Sequence, residues 1–394
     1  MSIPPAWVRA VVASLAAAAA LVAAPAYASA DPEKDLGHVL EALRANKHDL
    51  ALSRVEELLR QHPNFRLAHL IRGDLLLARS RPLQTFGNTD KTVPREKVED
   101  LRAEALARLQ ALRERPSDRQ VPGYMLQMHP EQRHALVVDS RRSRLYVFQN
   151  AGGRPQYVAD YYVTLGKQGI AKTREGDQKT PVGVYHVTAN LPRQKLTDFY
   201  GAGAFPINYP NAWDRRLGRN GHGIWVHGVP SDTYARPPRA SDGCIVMSNR
   251  DLLTVSQYMQ VGVTPVIISD GVEWQDADAL EAERKSLAAA IEAWRLDWES
   301  RDVGRYLSHY ARDFASDDQD LAQWSAHKRR VNTSKEWIKV GLSGVTMFRY
   351  PQEKFVVVSF DQDYRSSNLS NTMRKRQYWA KEGTRWKILY EGGV

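Results

Sequence analysis

GIWVHGVPSDTYARPPRASDGCIVMSN, running from Gly223 to Asn249, holds His227 and Cys244, the only cysteine among 394 residues. Gly223–Gly228 and Cys244–Met247 read as two short buried strands on either side of a polar, proline-broken loop. A cysteine thiol is mostly protonated near neutral pH and becomes a good nucleophile only when a neighbouring base or a positive environment supplies thiolate. His227 stands 17 positions before Cys244, at the end of one expected strand while Cys244 opens the other. Adjacent strands would bring imidazole and sulfur into reach of each other. Gly243 permits a tight backbone whose amide, with that of Cys244, can face a developing oxyanion.

The start of the chain bears on that thiol. Arg9, an apolar run from Ala10 to Ala24 and the small residues around Ala26-Tyr27-Ala28 form the pattern of a secretory signal, so residues 1–30 are expected to be a cleaved signal peptide. An uncleaved anchor is the rival, but the run is short and alanine-dominated where a spanning helix needs roughly 20 strongly apolar residues. The expected location is outside the cytoplasm, in the periplasm or cell envelope. A single cysteine in an oxidising compartment has no intramolecular partner, which leaves a buried thiol or a working nucleophile. A formal charge of +10 and a pI near 9.5 suit an acidic polymer. Export sets nucleic acid aside and favours anionic lipid or cell-wall glycan.

The rest of the chain reads as a multi-domain α+β protein. Residues 31–118 are expected to be helical: Leu36, Val39, Leu40 and Leu43, then Leu52, Val55, Leu58 and Leu59, then Leu67, Leu70, Ile71 and Leu75 recur at helical spacing. The pair around NKHDLALSRVEELLRQHPN resembles one tetratricopeptide unit, which cannot bury its own face. It is therefore expected to pack on the next domain, or on a second copy or another protein. Residues 119–272 change to the alternating pattern of a mostly β domain. Gly271–Asp278 is a joint, and residues 279–394 read as helices, with Ile291, Trp294, Trp298, Tyr306 and Tyr310 at near-helical spacing, followed by a curved antiparallel sheet.

Here a resemblance becomes specific. His227-Gly228, Ser241-Asp242-Gly243-Cys244 and Asn249, with Gly166, Gly176 and Thr180-Pro181-Val182-Gly183 upstream, resemble the signature of the L,D-transpeptidase (YkuD) family. Its members take a peptidoglycan stem tetrapeptide as acyl donor, cleave between the diamino acid at the third position and the terminal D-Ala, and hold the acyl group as a cysteine thioester. The resemblance implies Cys244 as nucleophile, His227 as general base and later acid, and the Gly228 carbonyl as orienter of the imidazole. It further implies that Ser241 shapes the turn and that the Gly243 and Cys244 amides form the oxyanion hole. His222, Arg239, Asp242 and Asn249 are the expected substrate contacts. Two departures stand out: Asp242 where many members have His, and Val246 where many have Arg. Arg236, Arg239, Lys172 and Arg174 are candidates to replace that arginine, each set against the ordinary alternative of a solvated loop charge.

Trp294, Trp298, Asp302, Tyr306, Tyr310, Asp313 and Phe314, with a terminal WKILY, resemble the NTF2-like (SnoaL-type) cone. The order helical segment, YkuD domain, cone is similar to the cell-shape-determining L,D-carboxypeptidases, which hydrolyse the same bond. In that setting the cone is expected to be an accessory pocket for glycan or peptide, with Lys375, Arg376 and Glu391 as its candidate residues.

Two enzymatic readings share one acyl-enzyme: an amine acceptor gives transpeptidation, and water gives carboxypeptidase action. A murein-binding scaffold with a vestigial site is the rival outside enzymology, and the intact His227, Gly243 and Cys244 argue against it. No cofactor is expected. His222, His227 and Cys244 lack the paired spacing of a zinc site, so no metal is expected either.

Overall fold

The computed structural model describes residues 31–393 apart from 91, 115, 116 and 118, so the expected signal peptide lies outside the described residues. Four helices come first: Pro32–Arg44, His48–Gln61, Arg66–Ala78 and Arg95–Arg113. Asp31 caps the first, accepting from the Glu33 amide, with Pro32 pre-set for the opening turn. The stripes read from the sequence bury Leu36, Val39, Leu52, Val55, Leu58, Leu67 and Ile71 in one core.

That core is closed by the next domain. Tyr234, from the loop between His227 and Cys244, enters it and lies 4.1 Å ring to ring from Phe65. Arg108 locks the same junction. It is buried, bonded to Glu104 at 2.8 and 3.0 Å, paired with Glu33, and stacked 3.9 Å over the Tyr162 ring. Of the surfaces on which the helical segment is expected to pack, the structure shows the next domain, met through Tyr234 and Tyr162.

In that domain a five-stranded sheet runs Arg154–Tyr162, Arg144–Ala151, His134–Asp139, Pro265–Ser269, Gly183–His186. A four-stranded sheet runs Ile245–Val246, Trp225–His227, Gly203–Pro206, Leu191–Pro192. Leu136, Val138, Leu145, Val147 and Val266 from the first meet Phe205, Val226, Ile245 and Met247 from the second in a common core.

The cone's sheet has six strands, and two of its features differ from the sequence reading. Tyr310, expected on a helix, opens the strand Tyr310–Ser316, which runs parallel to Arg385–Gly393. Met125–Gln127, expected in the catalytic domain's segment, adds an edge strand to the cone at Met347 and Phe348. Just before it, Gln120–Pro122 pairs with Trp274–Asp276 at the joint. The two domains are thus stitched by main-chain hydrogen bonds as well as by Trp213 packing on Phe355 and Tyr378.

Arg108→Ala removes the cation that compensates Glu104, itself buried to 2% exposure. Breaking a buried pair by deleting one partner costs about 3–5 kcal/mol. A urea or thermal melt read by tryptophan fluorescence should show that loss, whereas a change under about 1 kcal/mol would mean the junction does not depend on the ion cluster.

Candidate active site

Trp225–His227 pairs in parallel with Ile245–Val246, Val226 opposite Ile245 and His227 opposite Val246, and the Met247 amide extends the ladder to the His227 carbonyl at 3.0 Å. Val226 and Ile245 both point into the core. Alternation then turns Trp225, His227 and Cys244 to the other face of the sheet. Strand pairing puts base and thiol on the same face of the sheet, with His227 level with Val246 and Cys244 level with Trp225.

His227 is 1% exposed, and its Nδ1–H donates to the Gly228 carbonyl at 2.7 Å. That bond fixes the tautomer, leaving Nε2 bare as a proton acceptor. Burial drops the imidazole to about 4, with the Arg236 charge adding to the effect and the Gly228 bond opposing it. Tyr200 meets its ring edge-on at 5.1 Å and Phe199 lies at 5.9 Å.

The Cys244 Sγ–H donates to the Gly223 carbonyl at 3.3 Å. Burial pushes the thiol up to about 11; Asp242 adds to this, while a backbone bond at Trp225 and the charges of Arg236 and Lys172 oppose it. Both shifts favour a neutral thiol and a neutral imidazole at rest.

The turn before the cysteine is held by Ser241, whose Oγ donates to the Cys244 carbonyl at 2.6 Å and accepts from the Gly243 amide at 3.2 Å. Gly243 sits at φ +125, and a Cβ there would lie 2.7 Å from the Lys179 carbonyl oxygen. No other residue fits. Because the Gly243 N–H is given to Ser241, the expected two-amide oxyanion hole reduces, in this resting geometry, to the amide of Cys244.

Of the four expected substrate contacts, two serve the scaffold. Asn249 accepts from the Ala202 and Val229 amides at 2.8 and 3.2 Å and donates to the Val229 carbonyl at 2.8 Å. It packs so closely that a Cβ on Gly228 would lie 2.1 Å from its Oδ1. Arg239 turns to the Ser140 carbonyl and hydroxyl, at 3.3 and 3.4 Å, and to the charge of Asp270. Asp242 is exposed and tied to Lys167 and Gln178 at 3.0 and 3.1 Å. His222 is exposed, pairs with Glu175 at 3.3 Å, and adjoins the Gly223 carbonyl that holds the thiol. Among the candidate cations, Lys172 is buried against Asp177 at 2.7 Å. Phe199, Tyr200 and the Gly223 carbonyl were not read as site elements; the adjacent aromatics in a polar loop are the one signal for them.

In the cone, Glu391 is buried against Lys375, the Gln377 amide at 2.8 Å and the Tyr310 hydroxyl at 3.1 Å. Lys328, unread in the sequence, lies over Trp324 at 4.3 Å and Trp298 at 5.2 Å, and burial lowers it to about 8. Arg376 leaves this group. One position from Lys375 on the same strand, it faces the other way and lines, with Arg374 and His186, a cavity of about 110 Å3 between catalytic domain and cone.

Residues 133–268 match the L,D-transpeptidase catalytic domain (YkuD) and residues 286–392 the Cds6 C-terminal NTF2-like domain. The chain carries an L,D-transpeptidase catalytic domain followed by an NTF2-like domain. YafK of Escherichia coli (strain K12), named as an L,D-transpeptidase, is 30% identical over 125 residues, which are 32% of this chain and 45% of that protein. The chain thus spans about half the length of the curated relative it matches. The structure of Bdellovibrio bacteriovorus Bd1075 aligns at 29% identity and TM-score 0.61, over 70% of this chain and 98% of its own. The helical cell shape determining protein Pgp2 of Campylobacter jejuni shares the fold at 24% identity and TM-score 0.58, over 72% of this chain and 98% of its own.

The neutral resting pair has a kinetic signature. Alkylation of Cys244 by iodoacetamide should rise about tenfold per pH unit up to about pH 11, because the thiolate fraction grows until the raised thiol pKa is reached. A plateau between pH 6 and 8 would instead reveal a preformed thiolate–imidazolium pair.

Proposed function

We propose that the chain trims murein stem peptides: Cys244 attacks the carbonyl of the diamino acid at the third position, expels the terminal D-Ala, and water resolves the thioester. The observation that carries this reading is the arrangement of Cys244 and His227 on one face of paired strands, with Nε2 left bare by the Gly228 bond. Export through the leader expected at residues 1–30 would put the chain in the compartment that holds this substrate.

The chemistry follows from the neutral pair. When the thiol turns from the Gly223 carbonyl to His227, its proton passes to Nε2 as sulfur forms the C–S bond, and the charge moves to the carbonyl oxygen facing the Cys244 amide. Buried His227 is a weak base, and its imidazolium is correspondingly a strong acid. It returns the proton to the departing amine as the C–N bond breaks. Water, deprotonated by the same imidazole, then opens the thioester and regenerates the thiol.

Hydrolysis is preferred because the order of helical segment, L,D-transpeptidase domain and NTF2-like domain resembles that of the cell-shape-determining L,D-carboxypeptidases. Transfer of the acyl group to an amine is the second reading, favoured by the match to the transpeptidase catalytic domain.

Incubating the mature protein with disaccharide-tetrapeptide separates them by mass spectrometry. Tripeptide alone supports hydrolysis; cross-linked dimer or exchanged D-amino acid supports transfer; no product refutes both. Cys244→Ala should abolish product with an unchanged melting curve, and residual turnover in that variant would refute the thioester.

A further inference from the structure

Two of the candidate cations, Arg174 and Arg236, have no side-chain ion pair or hydrogen bond among the described residues; Arg174 is exposed on its loop, which leaves Arg236 as the partly buried one. Its guanidinium carbon lies over the Phe199 ring, 4.8 Å from the centroid, and the residue is half-buried. Among the described residues no carboxylate reaches it at ion-pair distance; the charges that act on it are those of Cys244 and Asp242. Its backbone is pinned, because the Arg236 carbonyl accepts from the Tyr162 and Thr164 hydroxyls, each at 2.9 Å. The neighbouring Tyr234 anchors the same loop in the helical domain. With no side-chain hydrogen bond or ion pair among the described residues, the guanidinium keeps N–H donors for a carboxylate, which such a group grips with two parallel hydrogen bonds.

The placement of Phe199 says which carboxylate. Its ring lies 5.9 Å from that of His227, the group that hands a proton to the departing amine. Arg236 therefore stands on the leaving-group side of the sulfur. In the leaving amino acid the carboxylate is separated from the scissile nitrogen by a single carbon. We infer that Arg236 is a specificity residue that holds the C-terminal carboxylate of the leaving amino acid, so that cleavage is confined to the last residue of the peptide. It supplies a positive charge from the middle of the loop between His227 and Cys244, where buried Val246 supplies none.

This inference rests on the proposed peptidase reading, so the first measurement does not use the peptide. Cys244 in the full mature protein is alkylated with iodoacetate and with iodoacetamide, which differ by one carboxylate. Arg236→Gln should lower the iodoacetate-to-iodoacetamide rate ratio roughly five- to tenfold at low salt, and 1 M salt should shrink the difference. The iodoacetamide rate serves as the control that the thiol and its turn are intact. A ratio unchanged by Arg236→Gln overturns the assignment whether or not the peptide is a substrate.

The second measurement compares the tetrapeptide with its C-terminal carboxamide. Arg236→Gln should reduce kcat/KM for the free acid roughly 10- to 100-fold, the range for losing a hydrogen-bonded partner of a charged group, and leave the carboxamide within about twofold. Arg236→Lys, which keeps the charge but not the fork, should fall between. Equal losses on both peptides would mean that Arg236 grips some other group, and would overturn the inference. If wild-type protein cleaves neither peptide while the alkylation ratio still responds, the peptidase reading fails and the carboxylate site stands.

Discussion

Everything at the site depends on one short parallel ladder, Trp225–His227 against Ile245–Val246. Two residues on each strand suffice because Val226 and Ile245 are both sealed in the common core, so neither strand can slip by one position without exchanging an apolar side chain for His227 or Cys244. Register here is enforced by burial, and register is what keeps imidazole and thiol on one face of the sheet. Asn249 adds a second constraint by holding Val229, just after Gly228, with two hydrogen bonds and tying it to the Ala202 amide with a third. The tautomer of His227 therefore depends on a residue that touches neither substrate nor sulfur.

The same logic extends outward. The loop between base and nucleophile would be a free excursion if it were not tied at both flanks. Tyr234 sits in the helical core, and the Arg236 carbonyl is held from the strand that carries Tyr162. Arg108, packed over the Tyr162 ring and bonded to Glu33 and Glu104, joins those two anchors. The helical segment is thus a brace for the edge of the cleft, which accounts for a small helical unit being stable without further repeats beside it.

How much of this was legible follows from how local each determinant is. His227, Gly228, Ser241, Gly243 and Cys244 lie in two strand ends and one turn, where alternation and glycine requirements can be read directly. Arg239 and Asn249 were read as facing substrate because their partners, Ser140 and Ala202, are distant in sequence and nothing local points to them. Lys328 was missed for another reason. The helix Leu321–Thr333 buries Lys328 and Asn332 and leaves its other residues half-buried or exposed, so it has no apolar stripe to announce it. Tyr310 was placed on a helix because its spacing from Tyr306 fits one; a chain reversal keeps the two hydroxyls 2.6 Å apart with Tyr310 on a strand.

Neutrality at rest also answers the question posed by a lone cysteine in a chain expected to be exported. A preformed thiolate is the species that oxidants attack, and in an oxidising compartment it would be lost to sulfenic acid or mixed disulfide. Burial that raises Cys244 and lowers His227 keeps the proton on sulfur, directed at the Gly223 carbonyl. The cost falls on catalysis, since proton transfer must accompany attack instead of preceding it. The arrangement exchanges standing reactivity for a nucleophile that is generated in the presence of its substrate.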